Sequence, residues 1–148
     1  MPRVERSATV SWEGNVARGT GLISAATGAF SQLPYSLPTR IGNAEGKTSP
    51  EELLAAAHAG CLAMSIANEL TSAGAPPERL DVETTIRLDE VEGKGHRIVA
   101  STSRVRGRVD GIDQSAWARA VEAGHQGCTF STLLRDAGAE VDVNAELA

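Results

Sequence analysis

One run constrains the fold of this chain more than any other: Ser49-Pro-Glu-Glu-Leu-Leu-Ala-Ala-Ala-His-Ala-Gly-Cys-Leu-Ala-Met-Ser65. Ser49 suits a helix N-cap, Pro50 suits the first helical position, and Glu52 completes a capping box. From Leu53 to Ala67 apolar residues then cover nearly every side. A helix without a polar face is not stable at a solvated surface, so this one belongs at the centre of a fold or in an interface. Asn68, Glu69 and Thr71 return its end to water, and Gly74 with Pro76-Pro77 stops it. The apolar stretch is shorter than the ~20 residues a bilayer span needs, which predicts a buried helix and no membrane partner.

Strands are expected on both sides of this helix. Val4, Arg6, Ala8, Val10 and Trp12 alternate with polar residues as far as the turn signal Gly14-Asn15, the period of two of a strand. Runs over 16–25 and 29–35, separated by Thr27-Gly28, complete a three-stranded antiparallel meander. Leu37-Pro38-Thr39-Arg40 leaves that sheet, and residues 41–48, rich in Gly, Asn and Lys, read as loop.

Beyond the helix, Leu80, Val82, Thr84, Ile86 and Leu88 mark a strand with one wet face; Glu92-Gly-Lys-Gly95 turns the chain, and 96–109 returns as its hairpin partner. Asp113 can cap a helix running to about Ala123, broken by Gly124 and Gly127, and a shorter helix is predicted from Cys128 to Ala137. Alternating Ala139, Val141, Val143, Ala145 and Leu147 give the last strand. The order βββ-α-ββ-αα-β contains no repeated βα unit. It predicts an α+β fold with antiparallel sheets and a central buried helix, and no doubly wound parallel sheet. With no repeat or linker, residues 1–148 read as a single domain.

At 148 residues such a domain can bury roughly 70% of its unfolded surface, and needs neither disulfide nor metal to hold its core. A net charge of −5 argues against a nucleic-acid partner, because phosphate neutralisation requires concentrated Lys and Arg. Arg104, Arg106 and Arg108 alternate along one strand and read as a solvated basic stripe. The start, Met-Pro-Arg-Val-Glu-Arg, has no basic segment leading into an apolar one, so a secretory signal is not apparent. A cytoplasmic, reducing location follows, where paired cysteines are transient or catalytic more often than structural.

The chain has two cysteines, in His58-Ala-Gly-Cys61 and His125-Gln-Gly-Cys128. They are a redox couple, part of a metal site, or inert core residues. Cys61 lies well inside an apolar helix, where burial opposes the thiolate; His58 or Arg40 could supply the cation a reactive thiol requires. Cys128 follows Gly127 and opens a predicted helix, where unpaired amides favour a thiolate. Two His-x-x-Cys pairs would also make a Cys₂His₂ zinc set, although neither has an ordinary zinc-framework spacing.

Several separated motifs bear on this choice. Thr48-Ser-Pro-Glu-Glu-Leu-Leu-Ala-Ala-Ala-His-Ala-Gly-Cys61, Ser11-Trp-Glu-Gly14, Pro34-Tyr-Ser-Leu-Pro-Thr-Arg40, Val109-Asp-Gly-Ile-Asp113, and Gly127-Cys128 with Ser131 together resemble the osmotically inducible protein C branch of the OsmC/Ohr family. The resemblance implies an OsmC-like fold forming an intertwined homodimer. It implies a thiol peroxidase for organic hydroperoxides in oxidative or osmotic stress defence, reset by an external dithiol, with no metal or cofactor. Position by position, Cys61 matches the peroxidatic cysteine, Cys128 the resolving cysteine, Glu51 the acid of the Pro-Glu motif and Arg40 the arginine of the Thr-Arg motif. Arg18 is a second candidate for that arginine. Two positions depart from the family pattern: Thr129 stands where a proline usually follows the resolving cysteine, and His125 fills a site often basic or polar. The alternatives are a non-enzymatic dimeric stress or small-ligand-binding protein with spectator cysteines, and the zinc-binding module. On one straight helix Glu51 and Cys61 would lie roughly 15 Å apart along the axis. Either the helix breaks near Gly60, or the Glu51 that serves Cys61 comes from a second chain.

Overall fold

The computed structural model describes residues 3–148. They divide into two compact units, one ending at Pro50 and the other spanning Glu51–Ala148.

In the first unit β1 (Ala8–Glu13), β2 (Thr20–Ala25) and β3 (Leu33–Tyr35) form the predicted antiparallel meander. Each strand is shorter than its alternating pattern. Asn15 is one reason: its side chain accepts the Arg18 amide at 2.9 Å and its carbonyl accepts the Gly19 amide at 2.6 Å, winding 15–18 into a turn. Gln32, in the left-handed region at φ 55°, delays β3 in the same way. Residues 3–7 pair with no strand, because β2 ends at Ala25 opposite Ala8. Trp12 and Tyr35 tilt against each other with ring centroids 5.6 Å apart. A Cβ at Gly21 would strike both rings.

The segment expected to leave the sheet as coil instead forms a short helix, α1 (Leu37–Ile41). Ser36 caps it, accepting the Thr39 amide at 3.3 Å, and Pro38 lies in its first turn. The signals are the same as at Ser49-Pro50, in a segment only five residues long.

The second unit is built around α2 (Pro50–Ser72), which begins at the expected residue. It runs unbroken through Gly60 for 23 residues, longer than its apolar stretch suggested. By length and composition alone it could cross a membrane. Its packing is that of a core helix: Leu62, Ile66 and Leu70 lie buried in one cluster with Val105, Trp117 and Val121. The buried positions, His58, Leu62, Ile66 and Leu70, form a single stripe of spacing four. On the outer side Met64 is 76% exposed.

β4 (Arg79–Val91) and β5 (Gly95–Arg108) form the predicted hairpin, with a register shift between Arg87 and Leu88. The inward face of β5 carries Ser101, Ser103, Val105 and Gly107; Arg104, Arg106 and Arg108 are exposed on the other. The last strand, β6 (Glu140–Leu147), joins the free edge of β5 in parallel, with Ser101 opposite Val141. A crossover through two helices returns the chain in the direction it left, which a tight turn cannot do. The sheet is therefore mixed, in order β4-β5-β6.

That crossover is α3 (Gln114–Gly127) and α4 (Thr129–Asp136). Asp113 caps α3 as expected, accepting the Ala116 amide at 2.7 Å. Gly124 does not break it. A Cβ there would lie 2.8 Å from the Ile66 Cα and 2.9 Å from the Ile66 nitrogen, and Ser65 Oγ donates to the Gly124 carbonyl at 2.6 Å. Gly124 is the position at which α3 and α2 approach backbone to backbone, so its missing side chain serves packing.

Candidate active site

α2 carries Cys61 half-buried; Cys128, fully buried, is the single residue between α3 and α4. Both are free thiols. Cys128 closes α3, its amide reaching the His125 carbonyl at 3.3 Å, and also stands as N-cap of α4 without a side-chain capping bond. Cys61 and Phe130 both pack against the buried cluster that contains Cys128, which brings the first turn of α4 to the Cys61 thiol. Cys128, unlike the N-caps Ser36 and Asp113, makes no side-chain capping bond to the first turn it opens.

Burial pushes the Cys61 thiol above its ordinary pKa. The Phe130 amide pulls it down, Cys128 pushes it up as hydrogen-bonding partner and as a competing charge, and the Thr129 amide pulls it down again. Thr129 thus contributes something a proline could not, a donor at the first position of the helix.

Directly below this pair lies a buried polar chain that the sequence did not reveal. His58, with no exposed surface, places Nδ1 2.6 Å from Ser101 Oγ and Nε2 2.8 Å from Ser131 Oγ. Ser131 Oγ is also 3.1 Å from His125 Nδ1, and Arg135 donates to His125 Nε2 at 3.2 Å. An arginine has only donors, so His125 Nε2 must accept and its proton sits on Nδ1, donating to Ser131. With the Ser131 hydrogen passed to His58 Nε2, His58 in turn donates from Nδ1 to Ser101. Both imidazoles are then neutral, in keeping with pKa values lowered in each by burial first, then by His125 beside His58 and by Arg135 beside His125. In sequence only His58, set in an apolar helix, stood out; serines at 101 and 131 carry no signal of their own.

The zinc set is not assembled. Both nitrogens of each histidine are engaged, and among the described residues no group of three or more His, Cys, Asp or Glu side chains could hold a metal.

Glu51 lies in the first turn of α2, ten positions before Cys61 on the same continuous helix. Arg40 and Arg18 belong to the first unit, Arg40 in the last turn of α1 and Arg18 in the turn between β1 and β2. Arg40 borders a cavity of about 200 Å³ whose walls are Trp12, Val16, Tyr35, Ser36 and Leu37.

The α+β chain thus packs two free thiols in one cluster, Cys61 from within α2 and Cys128 from the start of α4. Residues 42–144 match the OsmC-like protein family, and the chain belongs to that family. It is 33% identical over 144 residues to Peroxiredoxin OsmC of Escherichia coli (strain K12), covering 97% of each chain. Its fold is that of an organic hydroperoxide resistance protein from Elizabethkingia anophelis (TM-score 0.76, 18% identity, all of both chains). It is also that of an OsmC-like protein from Mycoplasma pneumoniae (TM-score 0.77, 11% identity, 98% of both chains).

Proposed function

We propose that this protein is a thiol peroxidase that reduces organic hydroperoxides with Cys61 and Cys128. Family membership and a relative named as a peroxiredoxin support a peroxidase-type redox role. The observation that supports the finer reading is that two free thiols pack in one cluster, with Cys61 against the group that contains Cys128. In this scheme the Cys61 thiolate attacks one peroxide oxygen, the O–O bond breaks, and the other oxygen leaves as alkoxide and takes a proton to become the alcohol. Cys61 is now a sulfenic acid; Cys128 attacks its sulfur, water departs, and a disulfide forms before further oxidation. An external dithiol reduces that disulfide by exchange.

Arg40 is assigned to favour the thiolate and to stabilise charge on the departing alkoxide, with Glu51 orienting the guanidinium. Its replacement by Ala should slow peroxide attack more than Arg18→Ala does. The Trp12–Tyr35 cavity beside Arg40 suits an alkyl group. The reaction as written requires no metal or organic cofactor.

Because α2 is continuous, Glu51 and Cys61 of one chain are separated by roughly 15 Å of helix. We assign the serving Glu51 to a second copy, in a homodimer that covers the outer face of α2 around exposed Met64. The two compact units act together as one OsmC-like domain, in the cytoplasm, with neither nucleic acid nor membrane as partner.

Turnover of an alkyl hydroperoxide against hydrogen peroxide, in the presence of a dithiol, tests the proposal. Wild type should prefer the alkyl substrate, Cys61→Ser should be inactive, and Cys128→Ser should react once per subunit and stall. Equal turnover by all three would make the cysteines spectators. Mixing inactive Cys61→Ser with inactive Glu51→Ala chains should restore part of the activity; no recovery despite verified subunit exchange overturns the shared site.

A further inference from the structure

The buried chain His125–Ser131–His58–Ser101, which exposed Arg135 ends, takes no part in the scheme above, yet it meets the active site at one defined place. Ser131 is the third residue of α4, in the same first turn as Thr129 and Phe130, whose amides pull the Cys61 pKa down. His58 lies three residues before Cys61 on α2, on the same face of that helix. Two attachments therefore join the same pair of helical segments. One is the bond from Ser131 to His58, 2.8 Å; the other is the packing of Cys61 and Phe130 against the cluster that contains Cys128. The outer members hold the anchor still: Ser101 of β5 fixes the far side of the imidazole, and His125 of α3 fixes the far side of the Ser131 hydroxyl. His58, Ser101 and Ser131 have no exposed surface, so no water can take the place of a lost partner without entering the core.

We propose that His58 is a positioning residue for Cys61: through its hydrogen bond to Ser131 it fixes where the first turn of α4 presents its amides to the thiol. An amide hydrogen bond weakens steeply with distance and angle, so a small rotation of that turn removes it. Neither imidazole has a nitrogen left for a metal or a substrate, which leaves alignment as the role the geometry allows. The inference rests on Cys61 being the reacting thiol, but it is read without peroxide.

The test is the pH profile of Cys61 alkylation by iodoacetamide, followed by peptide-resolved mass spectrometry so that Cys128 is scored separately. Ser131→Ala removes one oxygen atom and should move the Cys61 profile to higher pH, slowing alkylation at pH 7 by about three- to tenfold. Ser131→Thr retains the hydroxyl and should return the profile towards wild type. His58→Asn, which can still reach Ser101 but not Ser131, should shift Cys61 in the same direction as Ser131→Ala. Thr84→Val is the control: it removes a 2.7 Å hydroxyl bond to Ser103 between β4 and β5 and should leave Cys61 unchanged. An unmoved profile in folded Ser131→Ala, or an equal shift in Thr84→Val, overturns the assignment. So does failure of both Ser131→Ala and His58→Asn to fold, which would make the pair purely structural. Absence of peroxide turnover in wild type, with the alkylation shifts intact, would instead count against the peroxidase reading alone.

Discussion

The Thr129 backbone N–H pulls the Cys61 pKa down, and a proline at that position would have no such donor. The donor lowers the thiol pKa, against burial, which raises it. Thr129→Pro should therefore shift Cys61 to higher pKa and slow its alkylation at neutral pH by a few-fold, while the helix start itself is retained because proline suits the first position. Thiolate absorbance against pH measures this directly; an unchanged or lower pKa would mean that the Phe130 amide alone governs the thiol. At this scale the sequence made the two cysteines conspicuous, one of them inside an apolar helix. It did not make their surroundings legible. Ser101 and Ser131 are small residues whose importance lies in what stands opposite them, and that pairing depends on how β5, α2 and α4 meet.

Gly124 carries the corresponding lesson for whole elements. Read locally, glycine in a helix costs up to about 1 kcal/mol relative to alanine, and a break is the natural expectation. In the fold, a Cβ at Gly124 would sit 2.8 Å from the Cα of Ile66, which cannot move without moving α2. Overpacking of a rigid contact costs about 1–3 kcal/mol and outweighs the helical gain. Gly124→Ala should accordingly destabilise the protein, lowering the urea midpoint; a raised midpoint would show that the two helices separate easily. The helix starts at Pro50 and Gln114, the hairpin turn and the alternating strands were readable because each is specified by neighbours in sequence. The helix at 37–41 carried readable signals as well, yet its five residues fell below the length at which periodicity helps. The parallel pairing of β6 was not readable, because an alternating pattern identifies a strand and leaves its direction to the connection.

For the molecule as a whole, the two neutral histidines link stability to pH. Both have pKa values below the ordinary histidine value of about 6.5. Between the folded and unfolded pKa values the unfolded chain binds more protons, so the stabilisation is complete above about pH 6.5 and is lost as pH falls below it. Urea midpoints should decline from pH 7.5 to 5.5, and His125→Gln should flatten that decline; a midpoint rising on acidification would reverse the assigned protonation. The crossover topology has a temporal consequence. The β4–β5 hairpin is closed by a local turn, whereas β6 can pair with β5 only after α3 and α4 have been laid down, a non-local step that is slower to form. Cys128 lies within that crossover and Cys61 outside it, so the two thiols become neighbours late in folding. Until then each is an unprotected thiol on a partly assembled chain, and refolding in an oxidising buffer should divert molecules into intermolecular disulfides that a reducing buffer prevents.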